Sequence, residues 1–275
     1  MTNYAVRACV ENLARHGIDL RRVFFVNELL LDDDSTYVFG TRMKKFERVY
    51  ELWADGLSQW IYKSTVEARL SGQCGFLSRT LETPQYFSFL MEQGLLGDQE
   101  VFVDAGAYTG DTVAAFMQAT DGRFRYIYAF EPDLNNCNIL KNQRFGDCVL
   151  VYQYGLYDFD GQVNFESGAG SQSRIVLGAN APVVGNVSVR RLDSVALPDR
   201  HITLLKMDIE GSELKALQGA RQLIHENHPK LAICVYHKIE DLWELPLYIK
   251  ELCQDYRLYL RNHTDGLDEM VLYAV

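Results

Sequence analysis

Residues 101–112, with the sequence VFVDAGAYTGDT, combine residue types that could bind a small ligand. Asp104 ends a short apolar run, and Gly106 and Gly110 follow at a spacing that lets the chain turn sharply beside a bound molecule. Asp111 opens a helical pattern whose first backbone amides lack partners within the helix. The two acids would repel a pyrophosphate, but they would suit a cation or an ammonium group.

Tyr108 distinguishes this loop from dinucleotide-binding loops. A G-x-G-x-x-G loop needs its second glycine so that the backbone can meet the pyrophosphate, and Tyr108 fills that position with a bulky side chain. S-adenosylmethionine has a sulfonium, an ammonium and one carboxylate, and it has no phosphate. The loop therefore favours S-adenosylmethionine over NAD as the ligand.

Glu131 supplies a second element of the same ligand site. It ends the strand pattern RYIYAFE and is followed by Pro132. A carboxylate at a strand end can accept hydrogen bonds from both hydroxyls of a ribose. Alternatively, because Pro132 favours the first turn of a helix, Glu131 could serve only as a helix N-terminal group.

Three charged residues with alternate spacing, Lys206, Asp208 and Glu210, stand in the sequence LLKMDIEGSE. In a strand these side chains point to one side. A central parallel strand is normally apolar on both faces, so this polarity favours a reaction chamber at the end of the strand. The alternative is a strand end stabilised only by ion pairs.

His237 follows the buried pattern LAICVY of the next strand. Because its unperturbed pKa lies near ~6.5, a histidine beside Asp208 could remove the proton of a hydroxyl group during methyl transfer. A structural role is the alternative. Asp208, Glu210 and His237 could also hold Mg²⁺ or Mn²⁺, but Lys206 adds positive charge beside them and no dedicated ligand spacing is present. We therefore predict no metal site.

The order of strand and helix patterns predicts how these residues meet. From residue 98 onward strands alternate with helices, which indicates an α/β fold with a doubly wound, mostly parallel sheet. Ligands of such sheets bind beyond the carboxyl ends of the strands. Asp104, Glu131, Asp208 and His237 all follow predicted strands, so we expect them at one edge of the sheet.

Residues 1–97 read as a helical N-terminal extension and residues 98–275 as the ligand-binding domain. Nothing in the extension indicates catalysis. Its aromatic side chains need a surface that covers them, either the sheet or the second subunit of a homodimer; they are Trp53, Trp60, Tyr86, Phe87 and Phe89.

The segment from Glu166 to Gly185 is rich in glycine, alanine and serine and interrupts the alternation. It lies between the patterns GQVNFE and NVSVRR, which predict two antiparallel strands. A loop of this length within a domain is either a plain connection or a lid over the substrate.

Composition excludes several classes of function. The chain of 275 residues carries a formal net charge of -10, which argues against nucleic-acid binding and against docking on anionic lipid. No apolar run has the length of a membrane span, and the start lacks the apolar core of a signal peptide. The six cysteines show no metal-ligand spacing and are expected to be reduced thiols of a cytoplasmic protein.

Taken in order, several motifs resemble the FkbM-type methyltransferases; these are FVDAGAYTGDT, YAFEPD, RRLDSV, LLKMDIEGSELKALQGA and PKLAICVYHKIEDLWELPLYI. The resemblance covers roughly residues 98 to 275. It implies the Rossmann-like class I methyltransferase fold, S-adenosylmethionine as cofactor, and O-methylation of sugars, glycolipids or polyketide hydroxyls. It also places the adenine near Gly155 and Leu156. The family tends to have arginine, histidine and an aromatic residue where this chain has Arg261, Asn262 and His263.

The residues and the resemblance together give two sets of site residues. We predict that the cofactor is bound by Asp104, Gly106, Ala107, Tyr108, Gly110, Asp111, Thr112, Glu131, Pro132, Gly155 and Leu156. We predict that catalysis involves Lys206, Asp208, Glu210 and His237.

The function predicted from the sequence is O-methylation of a small hydroxylated acceptor, such as a glycan or a polyketide. Two other classes of function remain open at this point. One is a non-catalytic partner-binding domain on the same fold, which the intact loop and Glu131 disfavour. The other is an NAD-dependent oxidoreductase, which Tyr108 disfavours.

Overall fold

The computed structural model describes residues 44–71, 77–166, 174–175 and 185–275. Most of the predicted lid, from Glu166 to Gly185, lies outside the described residues, so both interpretations of it remain predictions. None of the helices in the described ranges has the length and apolarity needed to cross a membrane.

Strands and helices alternate through most of the described chain. The strands are β1 (Val101–Ala105), β2 (Tyr126–Phe130), β3 (Val149–Tyr152), β4 (Gly155–Leu156), β5 (Gly161–Glu166), β6 (Arg174–Ile175), β7 (Gly185–Arg190), β8 (Leu204–Met207), β9 (Lys230–Cys234), β10 (Leu258–Asn262) and β11 (Met270–Ala274). The α-helices with defined bounds are α1 (Gly56–Ser71), α2 (Ser88–Glu92), α3 (Asp111–Ala119), α4 (Leu134–Asn142), α5 (Glu213–Gly219), α6 (Arg221–Asn227) and α7 (Asp241–Leu252). Residues 44–50 are also helical.

The main sheet has seven strands in the order β10-β11-β9-β8-β1-β2-β3. Strands β3, β2, β1, β8 and β9 are parallel neighbours, whereas β11 runs antiparallel to both β9 and β10. This confirms the predicted α/β fold with a mostly parallel sheet. The strand order reverses between β1 and β8, and such a switch point is where open α/β sheets bind ligands.

A second, smaller sheet has the order β4-β7-β5-β6. The predicted antiparallel pairing is present between β5 and β7. The single strand predicted from the pattern CVLVYQYGL is divided, because β3 belongs to the main sheet whereas β4 pairs with β7. This division turns Gly155 and Leu156 back toward the end of β2, where Pro132 lies 3.8 Å from the position of a β-carbon on Gly155.

The described part of the predicted N-terminal extension packs on the main sheet. The Phe87 ring lies 6.0 Å from that of Phe102 in β1, and the Phe89 ring lies 4.7 Å from that of Tyr273 in β11. Most of the aromatic side chains named above are therefore covered by their own chain. Trp60 remains 39% exposed, and the homodimer stays a prediction.

Arg261 in β10 joins the same segment to the far edge of the sheet. Its guanidinium lies 2.6 Å from Asp55 Oδ2 and 3.0 Å from Glu82 Oε1, and it stacks 4.8 Å from the centre of the Phe89 ring. The described residues before position 98 contribute side chains to both hydrophobic clusters that cover the main sheet, and the domain boundary at 97/98 stays a prediction.

Candidate functional site

A cavity opens at the carboxyl ends of β1, β2, β8 and β9, where the sequence predicted the site. It is lined by Gln85, Tyr86, Gly106, Tyr108, Asp111, Thr112, Phe130, Glu131, Pro132, Asn136, Gly155, Leu156, Lys206, Asp208, Ile209, Glu210, Ser212, Tyr236 and Glu269. Eleven of these were predicted from the sequence as site residues.

Gly106 makes the closest backbone approach in the cavity. Its φ angle is +81°, and a β-carbon built there would lie 1.8 Å from the carbonyl oxygen of Asp208. The backbone amides of Gly106 and Ala107 both donate to the carbonyl oxygen of Phe130 at 3.0 Å. The loop after β1 is therefore fixed between the ends of β2 and β8, and only glycine fits at its turn.

Three residues predicted to bind the cofactor lie behind the cavity wall. Asp104 and Ala107 are fully buried. Gly110 is the N-cap of α3 with a φ angle of +99°, and a β-carbon on it would lie 2.7 Å from Leu140 Cδ1 and 2.9 Å from Phe145 Cε2. Direct contact with a ligand is thus not supported for these three residues, because close packing surrounds them; they shape the loop instead.

Glu131 projects its carboxylate into the cavity and holds the loop beneath it. Oε2 accepts a hydrogen bond from the Tyr108 amide at 3.0 Å, and Oε1 accepts one from the Asp133 amide at 2.8 Å. The helix-cap role belongs to Asp133, whose side chain accepts from the amides of Asn135 and Asn136. The Asn136 side chain also interacts with this carboxylate, which still has acceptor capacity for a ligand hydroxyl.

Burial raises the pKa of Glu131 to about 7, even though its two backbone amides favour the ionised form. A ligand hydroxyl donates a stronger hydrogen bond to the ionised carboxylate than to the protonated carboxylic acid. As the pH falls through 7, Glu131 takes up a proton, and this acceptor is lost. We expect the affinity for S-adenosylhomocysteine to fall about tenfold from pH 8 to pH 6.

Titration calorimetry across this range, on the wild type and on Glu131→Gln, measures the effect. The variant should bind more weakly and with a flat pH dependence. Equal slopes for the two proteins would assign the titration to another group.

Lys206, which lines the cavity, forms an ion pair with the buried Asp104. Lys206 Nζ lies 2.9 Å from Asp104 Oδ1 and donates to the carbonyl oxygen of Gly106 at 2.9 Å. The two side chains are 2% and 0% exposed. Burial lowers the pKa of Lys206, but the Asp104 and Asp208 carboxylates outweigh this and raise it overall. Lys206 is thus a fixed positive charge beneath the loop.

Asp208 lies at the floor of the cavity and accepts hydrogen bonds from two tyrosine hydroxyls. Tyr86 Oη donates to Oδ2 at 2.6 Å, and Tyr236 Oη donates to Oδ1 at 3.3 Å. Burial raises the pKa of Asp208, but His237, Lys206 and Tyr86 together lower it below its usual range. Asp208 therefore stays ionised and acts as a hydrogen-bond acceptor.

His237 lies behind Asp208 rather than in the cavity wall, and its side chain is 7% exposed. Nε2 lies 3.3 Å from Asp208 Oδ1, and Nδ1 lies 3.0 Å from Glu213 Oε1. Burial lowers the pKa of His237, but the two carboxylates outweigh it and raise the pKa well above 6.5. A protonated imidazole has no lone pair to accept a proton, so these surroundings favour a counter-ion of the two acids, and the role of His237 as a general base stays a prediction.

Glu210 lines the cavity, and its Oε2 lies 3.7 Å from His237 Nε2. The ligand atoms of Asp208, Glu210 and His237 lie within 4.8 Å of one another, as do those of Glu213, His237 and Asp241. The absence of a metal stays a prediction. His263, by contrast, has a structural environment, because Nδ1 contacts the carbonyl oxygen of Glu82 at 2.8 Å and Nε2 contacts Tyr273 Oη at 3.1 Å.

Sequence reasoning missed several residues of the cavity wall: Gln85, Tyr86, Phe130, Asn136, Ile209, Ser212, Tyr236 and Glu269. Glu269 precedes β11, accepts a hydrogen bond from Gln85, and has a pKa raised to about 7 by burial and by Asp208. Tyr236 is the last residue of the predicted strand pattern LAICVY, so its position at a strand end was the one available signal.

The strand order and the cavity over β1, β2 and β8 define the class I methyltransferase fold. Residues 104–266 match the family model of the methyltransferase FkbM domain. This stretch is more than half of the chain, and the chain belongs to the FkbM methyltransferase family.

Among solved structures, the methyltransferase FkbM from Methylobacillus flagellatus KT matches with a TM-score of 0.76 and 27% sequence identity, over 98% of this chain and 70% of that chain. An rRNA methylase from Streptococcus thermophilus matches with a TM-score of 0.43 and 13% identity, over 70% of this chain and 96% of that chain. No curated protein shows a significant sequence match.

The cofactor of this methyltransferase family is S-adenosylmethionine, and the cavity suits it chemically. Five of the residues that line it are acids and one is a lysine; the acids are Asp111, Glu131, Asp208, Glu210 and Glu269. This excess of negative charge favours a sulfonium and an ammonium group. The remaining acceptor capacity of Glu131 suits ribose hydroxyls.

Proposed function

We propose that the protein transfers a methyl group from S-adenosylmethionine to a hydroxyl group of a small acceptor, such as a sugar, a glycolipid or a polyketide. The observation that carries this proposal is the carboxylate-rich floor of the cavity, where Asp208, Glu210 and Glu269 lie together. Carboxylates accept hydrogen bonds from hydroxyl groups, and they repel phosphates and other carboxylates.

The cofactor would be held at the loop after β1 and at the end of β2. Glu131 would accept from ribose hydroxyls, and Gly155 and Leu156 would flank the adenine. Tyr108 in the loop and Asp111 and Thr112 in the first turn of α3 would line the entrance. When bound, S-adenosylmethionine supplies an electrophilic methyl group. The work of the protein is to hold an acceptor oxygen in line with that group, which accounts for much of the rate in such displacements.

Asp208 is the group we assign to orienting the acceptor. It stays ionised, and its carboxylate is fixed from one side by Tyr86 and Tyr236. An acceptor hydroxyl that donates to this carboxylate would have its position defined by a rigid partner. Lys206 fixes the loop that faces it.

Glu269 is the group that we assign to accepting the hydroxyl proton. Its pKa of about 7 is close to neutral pH, which is the value that makes a general base efficient. His237, which is enclosed between Asp208 and Glu213, would keep Asp208 ionised instead.

The class of acceptor can be tested with methyl-labelled S-adenosylmethionine and pairs of compounds that differ by one phosphate, for example a methyl glycoside and its 6-phosphate. We expect label in the neutral compound and at least tenfold less in the phosphorylated one, because the cavity floor repels the added charge. Mass spectrometry and NMR of the product should show a methyl ether.

Label on nitrogen or carbon, or label in RNA, would contradict the proposal. Parallel reactions with EDTA and with Mg²⁺ test the prediction that no metal takes part, and equal rates are the expected result.

A further inference from the structure

We propose that Tyr86, which lies in the segment before β1, is a positioning residue for methyl transfer, because its hydroxyl fixes the Asp208 carboxylate at the floor of the cavity. The rate assay for this inference rests on the proposed hydroxyl acceptor. The inference gives a residue of the predicted N-terminal extension a role in methyl transfer, although nothing in the sequence of that extension indicated catalysis.

The contact itself is short and enclosed. Tyr86 Oη lies 2.6 Å from Asp208 Oδ2 and 3.5 Å from Cys234 Sγ, and Tyr86 is 5% exposed. Burial and the neighbouring Asp208 raise the pKa of Tyr86 well above 10. The hydroxyl therefore keeps its proton and acts as a donor toward the carboxylate.

The backbone of Tyr86, which lines the cavity, is strained. Its φ angle is +64°, in the left-handed region that a bulky aromatic residue rarely adopts. Such strain persists only where the surroundings over-determine the conformation, and it concentrates at functional sites. Here the next residue supplies the anchor, since the Phe87 ring packs 5.6 Å from the ring of Phe116.

The buried Lys206 also contacts the face of the Tyr86 ring. Lys206 Nζ lies 5.2 Å from the centre of the Tyr86 ring, within the range of a cation–π contact. The ring therefore has one position, and its hydroxyl has one partner among the carboxylates. A rigid donor of this kind removes rotational freedom from Asp208 before an acceptor arrives.

Asp208 has other neighbours, and their effects must be separated from that of Tyr86. Besides Tyr86, the charged and titratable groups around Asp208 are Asp104, Lys206, Glu210, Cys234, Tyr236, His237 and Glu269. Most of these remain in place when only the hydroxyl of Tyr86 is removed. Loss of a donor to the ionised form raises the pKa of Asp208, so the Asp208 carboxyl itself should titrate at higher pH than in the wild type.

Tyr86→Phe removes the hydroxyl and keeps the ring, and Tyr62→Phe is the matched control. Tyr62 is also buried, but its hydroxyl has no hydrogen-bond partner among the described residues. We expect Tyr86→Phe to lower kcat by about 10- to 100-fold with less than threefold change in S-adenosylhomocysteine affinity. Tyr62→Phe should change neither quantity.

An unchanged kcat for Tyr86→Phe, or a loss matched by equal losses in cofactor affinity and melting temperature, would overturn the inference. A second measurement needs no acceptor. Carboxyl carbon NMR of protein labelled at aspartate, with Asp208→Asn for assignment, should show the Asp208 resonance titrating at higher pH in Tyr86→Phe than in the wild type. Identical titrations would refute the contact whether or not the acceptor is a hydroxyl compound.

Discussion

Gly106→Ala is expected to abolish cofactor binding and to destabilise the fold by more than about 3 kcal/mol. The added β-carbon would lie 1.8 Å from the carbonyl oxygen of Asp208, and the φ angle of +81° is itself unfavourable for alanine. Neither atom can move without shifting the end of β1 or β8. Denaturant unfolding and calorimetry with S-adenosylhomocysteine measure the two effects.

Gly122→Ala is the control that separates the cost of a positive φ angle from the cost of the steric clash expected in Gly106→Ala. Gly122 has a φ angle of +69°, but a β-carbon there would meet nothing within 4 Å. This variant should lose only about 1–2 kcal/mol and should keep full cofactor affinity. Similar losses for the two variants would mean that the approach of Gly106 to Asp208 is looser than the structure shows.

Lys206→Met is expected to cost about 3–5 kcal/mol of stability, because it leaves the carboxylate of Asp104 buried without a counter-charge. Asp104 would then take up a proton more readily, since burial already raises its pKa. A raised carboxyl pKa stabilises the fold at low pH and loses that contribution as the pH rises. The deficit should therefore be smaller at pH 5 than at pH 8.

Two comparisons test the cause of this loss. Lys63→Met removes one member of an exposed helical ion pair, whose side chains are 66% and 56% exposed, and should change the stability by less than about 0.5 kcal/mol. The double variant Asp104→Asn, Lys206→Met should be more stable than Lys206→Met alone. A double variant as unstable as the single one would show that packing, rather than charge, causes the loss.

Local patterns predicted the strands that carry the site. β1 and β2 were visible as apolar runs because parallel strands are covered on both faces. The residues that follow them, Gly106 and Glu131, could be assigned from their types alone. The patterns RLYLRNH and DEMVLYAV predict two β-rich segments at the end of the chain, but they predict neither the antiparallel pairing of β10 and β11 nor their order in the sheet.

Residues 83–94, with the sequence TPQYFSFLMEQG, show where local patterns fail, because Pro84 and Gly94 predict the start and the end of one helix. The structure has only the five-residue helix α2, because Tyr86 adopts a left-handed conformation directly before it. Sequence propensity favours a regular helix over this segment. The packing of Phe87 and the hydroxyl contact with Asp208, which lies 122 residues away along the chain, outweigh that propensity.

The role of His237 could not be obtained from its position after a strand. Its surroundings include Glu213, which stands in α5 and whose Oε1 also accepts from the amide of Ile209. Two carboxylates around one buried imidazole reverse the expected charge state. That balance depends on distances between elements far apart in the sequence, which residue types alone do not show.

The ion pair between Asp55 and Arg261 has a consequence for how the chain folds during its synthesis. The two residues lie 206 positions apart, and Trp53 likewise pairs with Leu258. The helices before β1 leave the ribosome long before β10 does. The apolar faces of these helices therefore stay uncovered until the last strands have been synthesised. Contacts of such separation slow folding and leave intermediates that are prone to aggregate. We therefore expect nascent chains stalled before β10 to bind chaperones strongly, and chains that also expose β10 and β11 outside the ribosome to lose that affinity.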